Sequence, residues 1–172
     1  MKAMAFALAL LVAGVAAGQV GVDAELRRQL DDLFPAATSF SSKEGDPPHF
    51  KAYAGSPRGG RRLIGYAFWT TELEPLERGY DGPIKILTGV DTDGVLTGIV
   101  VADHYEPYGY FSIDLPRYAA QFVRKSIRDP FRVGNAIDAV STATLTVTSA
   151  TRAVRNGARR LARRLIVPPE AR

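Results

Sequence analysis

The spacing of apolar residues predicts one helix, then a series of strands, then two further helices. Leu26, Leu30 and Leu33 recur at helical spacing, so a helix is predicted from Asp23, as its cap, to about residue 33. Runs rich in strand-forming residues then predict strands at 50–53, 63–71, 85–90 and 95–103, with the last two joined as a hairpin by the turn at 91–94.

Two helices are predicted in the second half of the chain. A short helix begins near Asp114, with Pro116 in its first turn and Tyr118, Phe122 and Ile127 facing inward. A last helix spans about 147–165, with its apolar residues at helical spacing and its arginines on the other faces. This order predicts an α+β fold: a single domain with an antiparallel sheet flanked by helices.

The first residues have the pattern of a secretory signal peptide. Lys2 precedes an uncharged apolar run at 3–15, and small residues follow at 16–18. We therefore predict a signal peptide at 1–17 and an exported domain at 18–172, in a periplasmic or other extracytoplasmic location. An uncleaved membrane anchor and a buried helix are the alternatives for this segment.

Charge and cysteine content narrow the possible functions. The 172 residues contain no cysteine, which excludes iron–sulfur clusters, zinc–thiolate sites and thiol redox chemistry, so redox work would need an organic cofactor. The net charge is +4, but the segment from Val147 onward holds seven arginines and one glutamate, and residues 18–146 are mildly acidic. A nucleic-acid-binding protein usually spreads its cations over a docking surface, so we predict no nucleic-acid partner.

The candidate chemistry lies in a segment rich in hydroxyl groups. Seven serines and threonines occur between positions 141 and 151, just before the basic helix. One interpretation is that they cap the helix or lie in a strand. The other is that the helix start and the hydroxyl groups together hold a phosphate.

The order of residues in this segment resembles a known motif. Asp138-x-x-Ser141-Thr142-Ala143-Thr144 is similar to the Asp-x-x-(Ser/Thr)-Gly-Ala-Thr motif of FMN-binding domains. The resemblance extends over about 30–165 and is strongest to NosR/NirI-type extracytoplasmic flavin domains, which are related to the covalent-FMN subunits of Rnf and Na+-translocating NADH:quinone reductase complexes. The further matching pieces, in order, are Phe34-Pro35, Gly65-Tyr66-Ala67-Phe68, Gly79-Tyr80-Asp81-Gly82-Pro83-Ile84, Asp93-Gly94-Val95-Leu96-Thr97-Gly98 and His104-Tyr105-Glu106-Pro107.

The resemblance implies that Thr144 carries FMN through a phosphoester, attached by an ApbE-type flavin transferase. Thr142 stands where the motif has glycine, Ala143 lets the backbone approach the phosphate, and Ser141 donates to a phosphate oxygen or caps the turn. Asp138 presents the loop to the transferase or is a solvent-exposed turn carboxylate. A second Ser-Ala-Thr ends at Thr151, without the aspartate, and is the weaker candidate for attachment.

The resemblance also implies a loop beside the flavin. His104 and Glu106 are expected to hydrogen-bond the ring system, or to belong to an ordinary polar loop after a strand. Four aromatic residues stack on the ring or are core and rim aromatics: Tyr105, Tyr108, Tyr110 and Phe111. In the basic helix, the arginines form a solvated face, contact an anionic membrane surface or an acidic redox partner, or, at Arg152 and Arg155, reach the flavin phosphate.

The resulting functional hypothesis is an exported electron-transfer flavoprotein that works with a membrane-bound redox partner. No general base, nucleophile or substrate pocket stands out in the sequence, so a stand-alone enzyme is less favoured. The alternatives are a flavin-based redox-sensing module and a flavin-free protein that binds lipid through its basic helix.

Overall fold

A computed structural model describes residues 20–56 and 59–166 of the chain. The predicted signal peptide at 1–17 lies outside these residues and stays a prediction. Among the helices that the model describes, none has the length and apolarity needed to cross a membrane.

Five strands form one antiparallel sheet whose order follows the chain. They are β1 (Ser39–Phe40), β2 (Phe50–Ser56), β3 (Gly60–Trp69), β4 (Lys85–Asp91) and β5 (Leu96–Asp103). Each strand pairs with its neighbours in the chain. The predicted α+β fold with an antiparallel sheet flanked by helices is therefore confirmed; the two-residue strand β1 is an addition, because so short a segment carries no alternating pattern.

Three of the described helices differ from their predicted bounds, and one was not predicted: it begins at Thr70, so the strand predicted at 63–71 ends earlier, at Trp69. The helices are α1 (Val20–Leu33), α2 (Thr70–Leu73), α3 (Pro116–Ala120) and α4 (Thr144–Leu165), with a 3-10 turn at Gly109–Phe111 before α3. Asp23 lies inside α1, so its prediction as the helix cap is wrong. α3 ends at Ala120, so Phe122 and Ile127 lie beyond it. α4 begins three residues earlier than predicted, which makes Thr144 its first residue.

The sheet is covered on both faces, which explains the apolar character of its central strands. Successive residues of a strand point to opposite faces. On β4, Ile86 packs in the same core as Val154 and Leu161 of α4, whereas Leu87 packs in the same core as Leu30 and Leu33 of α1. α1 and α4 therefore lie on opposite sides of the sheet.

A glycine allows α4 to pack closely on the sheet. A Cβ added at Gly157 would stand 2.5 Å from Cε2 of Phe68, a fully buried side chain of β3. That distance is below van der Waals contact, so a larger residue would push the helix away from the sheet. The middle of α4 is thus fixed against the core.

Candidate functional site

The loop at 138–143, where the sequence predicts flavin attachment and which is called the attachment loop below, ends at an exposed threonine. Ala143, the residue before α4, is buried, whereas Thr144, the first residue of the helix, is exposed. The Thr144 hydroxyl donates only one long hydrogen bond, of 3.4 Å, to the carbonyl of Val140. Its oxygen is therefore open to an approaching reagent.

The helix start offers amide donors at the same place. No side chain caps α4, and Val147 is the first residue whose N–H reaches back along the helix, to the carbonyl of Ala143 at 3.0 Å. The N–H groups of Thr144, Leu145 and Thr146 accordingly have no acceptor within the helix. Such groups, together with the helix dipole of a 22-residue helix, favour a phosphate.

Thr142 has the backbone conformation of a glycine. Its φ angle is +69°, in the left-handed region, which costs a non-glycine residue roughly 1–2 kcal/mol. Glycine in turn loses about 0.5–1 kcal/mol more chain entropy on folding than a residue with a side chain. The motif of the resembled family has glycine here, and the strain supplies the physical reason.

We expect Thr142→Gly to leave the free energy of unfolding unchanged or to raise it by about 0.5 kcal/mol, since the relief of strain offsets the entropy of glycine. Urea denaturation measures this. Thr148→Gly is the control, because a helical residue gains no such relief, and it should destabilise the protein. A loss of more than about 1 kcal/mol for Thr142→Gly would contradict the strain argument.

Glu106 anchors the first turn of α4 to two loops. Its carboxylate is buried and accepts hydrogen bonds from the N–H groups of Tyr80 and Asp81, each at 2.9 Å, and from the hydroxyl of Thr146. A Cβ at Gly79 would lie 2.3 Å from Glu106 Oε1, so this approach requires glycine. Burial by itself would raise the pKa of Glu106, but the hydrogen bonds from Thr146, Asp81 and Tyr80 together hold it below its ordinary value.

His104 is held by both of its ring nitrogens. Nδ1 accepts from the N–H of Glu106 at 3.0 Å, so it carries no proton, and Nε2 donates to Asp114 Oδ1 at 2.7 Å. The ring also packs against Gly109, where a Cβ would be 2.1 Å from its Cε1. The hydrogen-bonding groups of His104 and Glu106 thus serve the protein itself, and their predicted contact with a flavin ring stays a prediction.

A second anchor lies one helical turn further along α4. Arg152 donates two hydrogen bonds to Glu77, at 2.6 and 2.8 Å. The single hydroxyl proton of Ser149 is shared between Glu77, at 2.7 Å, and the carbonyl of Arg78. Burial would raise the pKa of Glu77, but the hydrogen bonds from Arg152 and Ser149 lower it overall. Arg152, predicted as a possible phosphate ligand, is therefore paired with a carboxylate.

The second Ser-Ala-Thr differs from the first in its accessibility. Thr151 is 2% exposed, and its hydroxyl lies 3.2 Å from the hydroxyl of the buried Tyr118. A hydroxyl within the core is out of reach of a modifying enzyme. Of the two threonines, only Thr144 presents its oxygen to solvent.

A cleft of about 520 Å³ opens beside the attachment loop. Its wall on the loop side is formed by Asp138 to Ser141, and α3 with the residues around it forms the opposite wall. The size falls in the range of sites for small organic ligands and cofactors.

The attachment loop, the Glu106 anchor and the cleft all lie in a part of the chain that matches a known domain family. Residues 79–159 match the FMN-binding domain family. The chain carries an FMN-binding domain. FMN is accordingly its cofactor, and the matched range includes Glu106, the cleft and Thr144. Comparison with curated proteins finds no significant match. The resemblance to NosR/NirI-type proteins in particular stays a prediction.

The residues of this FMN-binding domain fit the cofactor. The free amides at the start of α4 suit its phosphate, and the neighbouring cleft has the volume of a cofactor site. Exposed large hydrophobic side chains lie close to these groups. Tyr80, whose N–H donates to Glu106, is 73% exposed, and Tyr105, which precedes Glu106, is 72% exposed. Leu145, which follows Thr144, is 51% exposed.

The structure brings the predicted residues of the FMN-binding domain together. Asp138, Ser141, Thr142 and Ala143 belong to one loop that leads directly into Thr144. The hydrogen bond between Glu106 and Thr146 brings the loop of His104 and Glu106 to the same end of α4. The sequence analysis did not assign a supporting role to Glu77, Thr146 or Ser149, nor a place in the cleft to Arg117, Gln121 or Asn135. Thr146 and Ser149 belong to the hydroxyl-rich segment, which was the available signal for them.

Proposed function

We propose that the chain is an exported electron-transfer protein with one FMN joined covalently to Thr144. The observation that supports this most strongly is an exposed threonine hydroxyl at an uncapped helix start within an FMN-binding domain. The proposed electron donor or acceptor is a membrane-bound redox partner.

Attachment requires a phosphoester between the Thr144 Oγ1 and the phosphorus of FMN. The threonine oxygen bonds to the phosphorus while the bond from that phosphorus to an activating leaving group breaks, and the hydroxyl proton departs to the surroundings. A free threonine hydroxyl is a weak nucleophile, so an ApbE-type flavin transferase and its metal ion would supply the activation and the activated donor.

The residues around Thr144 suit this modification. In the described part of the chain, no hydrogen bond or ion pair holds the carboxylate of Asp138, which is exposed and stays available to the transferase. The backbone N–H of Asp138 donates to Gln121 at 2.7 Å, which fixes the start of the loop. The amides at the start of α4 would hold the phosphate once it is attached.

The bound flavin supplies the redox chemistry, and the chain supplies its position and surroundings. The two anchors, Glu106–Thr146 and Glu77–Ser149–Arg152, fix the first turns of α4 against the loop at 74–84. A rigid attachment point keeps the flavin at the surface, where a partner can exchange electrons with it. Covalent attachment also suits a compartment outside the cytoplasm, because a dissociated flavin would be lost by dilution.

Export to the periplasm rests on the predicted signal peptide and on the usual extracytoplasmic location of FMN-binding domains. The Arg-rich helix α4 is less available for a membrane or a partner than its composition indicates. Arg152 and Arg160 bond to Glu77 and Glu74, and Arg159 donates to the carbonyls of Ile127 and Asp129. The exposed Arg164, in the last turn of the helix, is the proposed site of peripheral membrane contact.

The proposal is tested with protein produced in cells that export it and contain a flavin transferase. After denaturation, we expect flavin fluorescence to migrate with the chain and the intact mass to exceed that of the polypeptide by one FMN unit. Rapid reduction by membranes containing the partner would then support a carrier, and slow reduction a sensor. An intact mass equal to that of the bare polypeptide would overturn the covalent proposal.

A further inference from the structure

The cleft beside the attachment loop carries one cation and one anion among the described residues that line it. These are Arg117 of α3 and Asp138 of the loop, and the amide side chains of Gln121 and Asn135 lie with them. The cleft is thus polar enough to orient a ligand, and its charged groups are few enough for each to have a distinct effect.

Most of these polar groups are unused by the fold. Within the described ranges, no hydrogen bond or ion pair engages the side chains of Arg117, Asn135, Asp138 or Ser141. The polar groups of Glu106 and His104 are not available in this way. The Glu106 carboxylate and both ring nitrogens of His104 already form hydrogen bonds within the protein. Unpaired polar groups that converge on one cleft are the pattern of a binding site.

The cleft is next to Thr144, the proposed site of flavin attachment. Val140 lines the cleft, and its carbonyl oxygen lies 3.4 Å from the Thr144 hydroxyl. The ribityl chain of FMN places several bonds between the phosphate and the ring. A flavin joined to Thr144 would therefore be tethered beside a residue that lines the cleft.

We propose that this cleft receives the isoalloxazine ring and that Arg117 sets the reduction potential of the flavin. This inference rests on the proposed attachment at Thr144. Uptake of two electrons and one proton from a reductant leaves one net negative charge on the ring. The guanidinium of Arg117 stabilises that charge and offers paired N–H donors to the ring nitrogen and carbonyl groups, so it favours the reduced form.

Arg117 is suited to a test by substitution, because it is exposed and has no partner whose loss would disturb the fold. Arg117→Gln removes the charge, and Arg117→Lys keeps it. Arg62→Gln is the matched control, since Arg62 is an exposed arginine on β3 that does not line the cleft. All are compared as full-length chains matured with the flavin transferase.

The readout is the flavin reduction potential, from dithionite titration against indicator dyes, with the flavin absorption spectrum recorded alongside. We expect Arg117→Gln to lower the potential by about 30 mV or more, which is a tenfold change for a two-electron couple. Arg117→Lys should retain most of the wild-type potential, and Arg62→Gln should match the wild type.

Intact mass separates the two proposals. A wild-type chain without the added FMN mass overturns the attachment at Thr144. A flavin-loaded Arg117→Gln whose potential and spectrum equal those of Arg62→Gln overturns the role of the cleft while attachment stands. The role of the cleft is also overturned if Tyr80→Ala or Tyr105→Ala changes the spectrum and Arg117→Gln does not, because the ring would then lie on the side of Glu106.

Discussion

Thr144→Val is expected to abolish covalent flavin incorporation and to leave the fold intact. Valine has nearly the shape of threonine but lacks the oxygen that would bond to phosphorus. Thr144 is exposed and its hydroxyl makes a single 3.4 Å hydrogen bond, so the free energy of unfolding should change by less than about 1 kcal/mol. The loss of flavin should be complete, because the oxygen is the site of the bond itself.

Intact mass and in-gel flavin fluorescence after denaturation measure this result. Thr151→Val is the matched control, since Thr151 ends the second Ser-Ala-Thr and its hydroxyl is buried against Tyr118. That variant should retain the full FMN mass. Flavin that remains bound to denatured Thr144→Val would contradict the assignment, and loss of flavin from Thr151→Val alone would move it to position 151.

Glu106→Gln is expected to destabilise the protein by about 3 kcal/mol at neutral pH. The buried carboxylate accepts from Tyr80, Asp81 and Thr146, and the amide of glutamine turns an NH2 group toward at least one of these donors. A hydrogen bond to a charged group contributes roughly 1.5–3 kcal/mol, and an unpaired buried donor adds to the loss. Urea denaturation measures the change.

The pH dependence of stability provides a separate test of the Glu106 anchor. Because the folded-state pKa of Glu106 is below its ordinary value, its contribution is complete above about pH 4.3, the ordinary value for glutamate, and is lost as the pH falls through the folded-state pKa. The wild type should therefore lose more stability than Glu106→Gln does when the pH is lowered below this value.

Glu25→Gln is the control for this substitution. Glu25 lies on the exposed face of α1, where its pairing with Arg28 is a surface contact, so its replacement should change stability by less than about 0.5 kcal/mol. A Glu106→Gln protein as stable as Glu25→Gln, with the acid sensitivity of the wild type, would show that Glu106 does not hold the start of α4.

Local patterns were sufficient to predict the fold class and most of its elements. Alternation and turn residues placed the hairpin of β4 and β5, and helical spacing placed most of α4, because these features depend on residues close in the chain. The start of α4 was predicted three residues late, since apolar spacing marks the buried face of a helix and Thr144 lies before the first core residue, Val147.

The order of residues around Asp138 and Thr144, together with five further matching pieces in the same order along the chain, was enough to point to FMN. The tertiary structure alone decided which groups surround this motif: Glu106 bonds to a residue 40 positions away, Arg152 to one 75 positions away, and α3 faces the 138–141 segment across the cleft. Such partners are set by how α4 packs across the sheet, and packing between distant segments leaves no periodic trace in the chain.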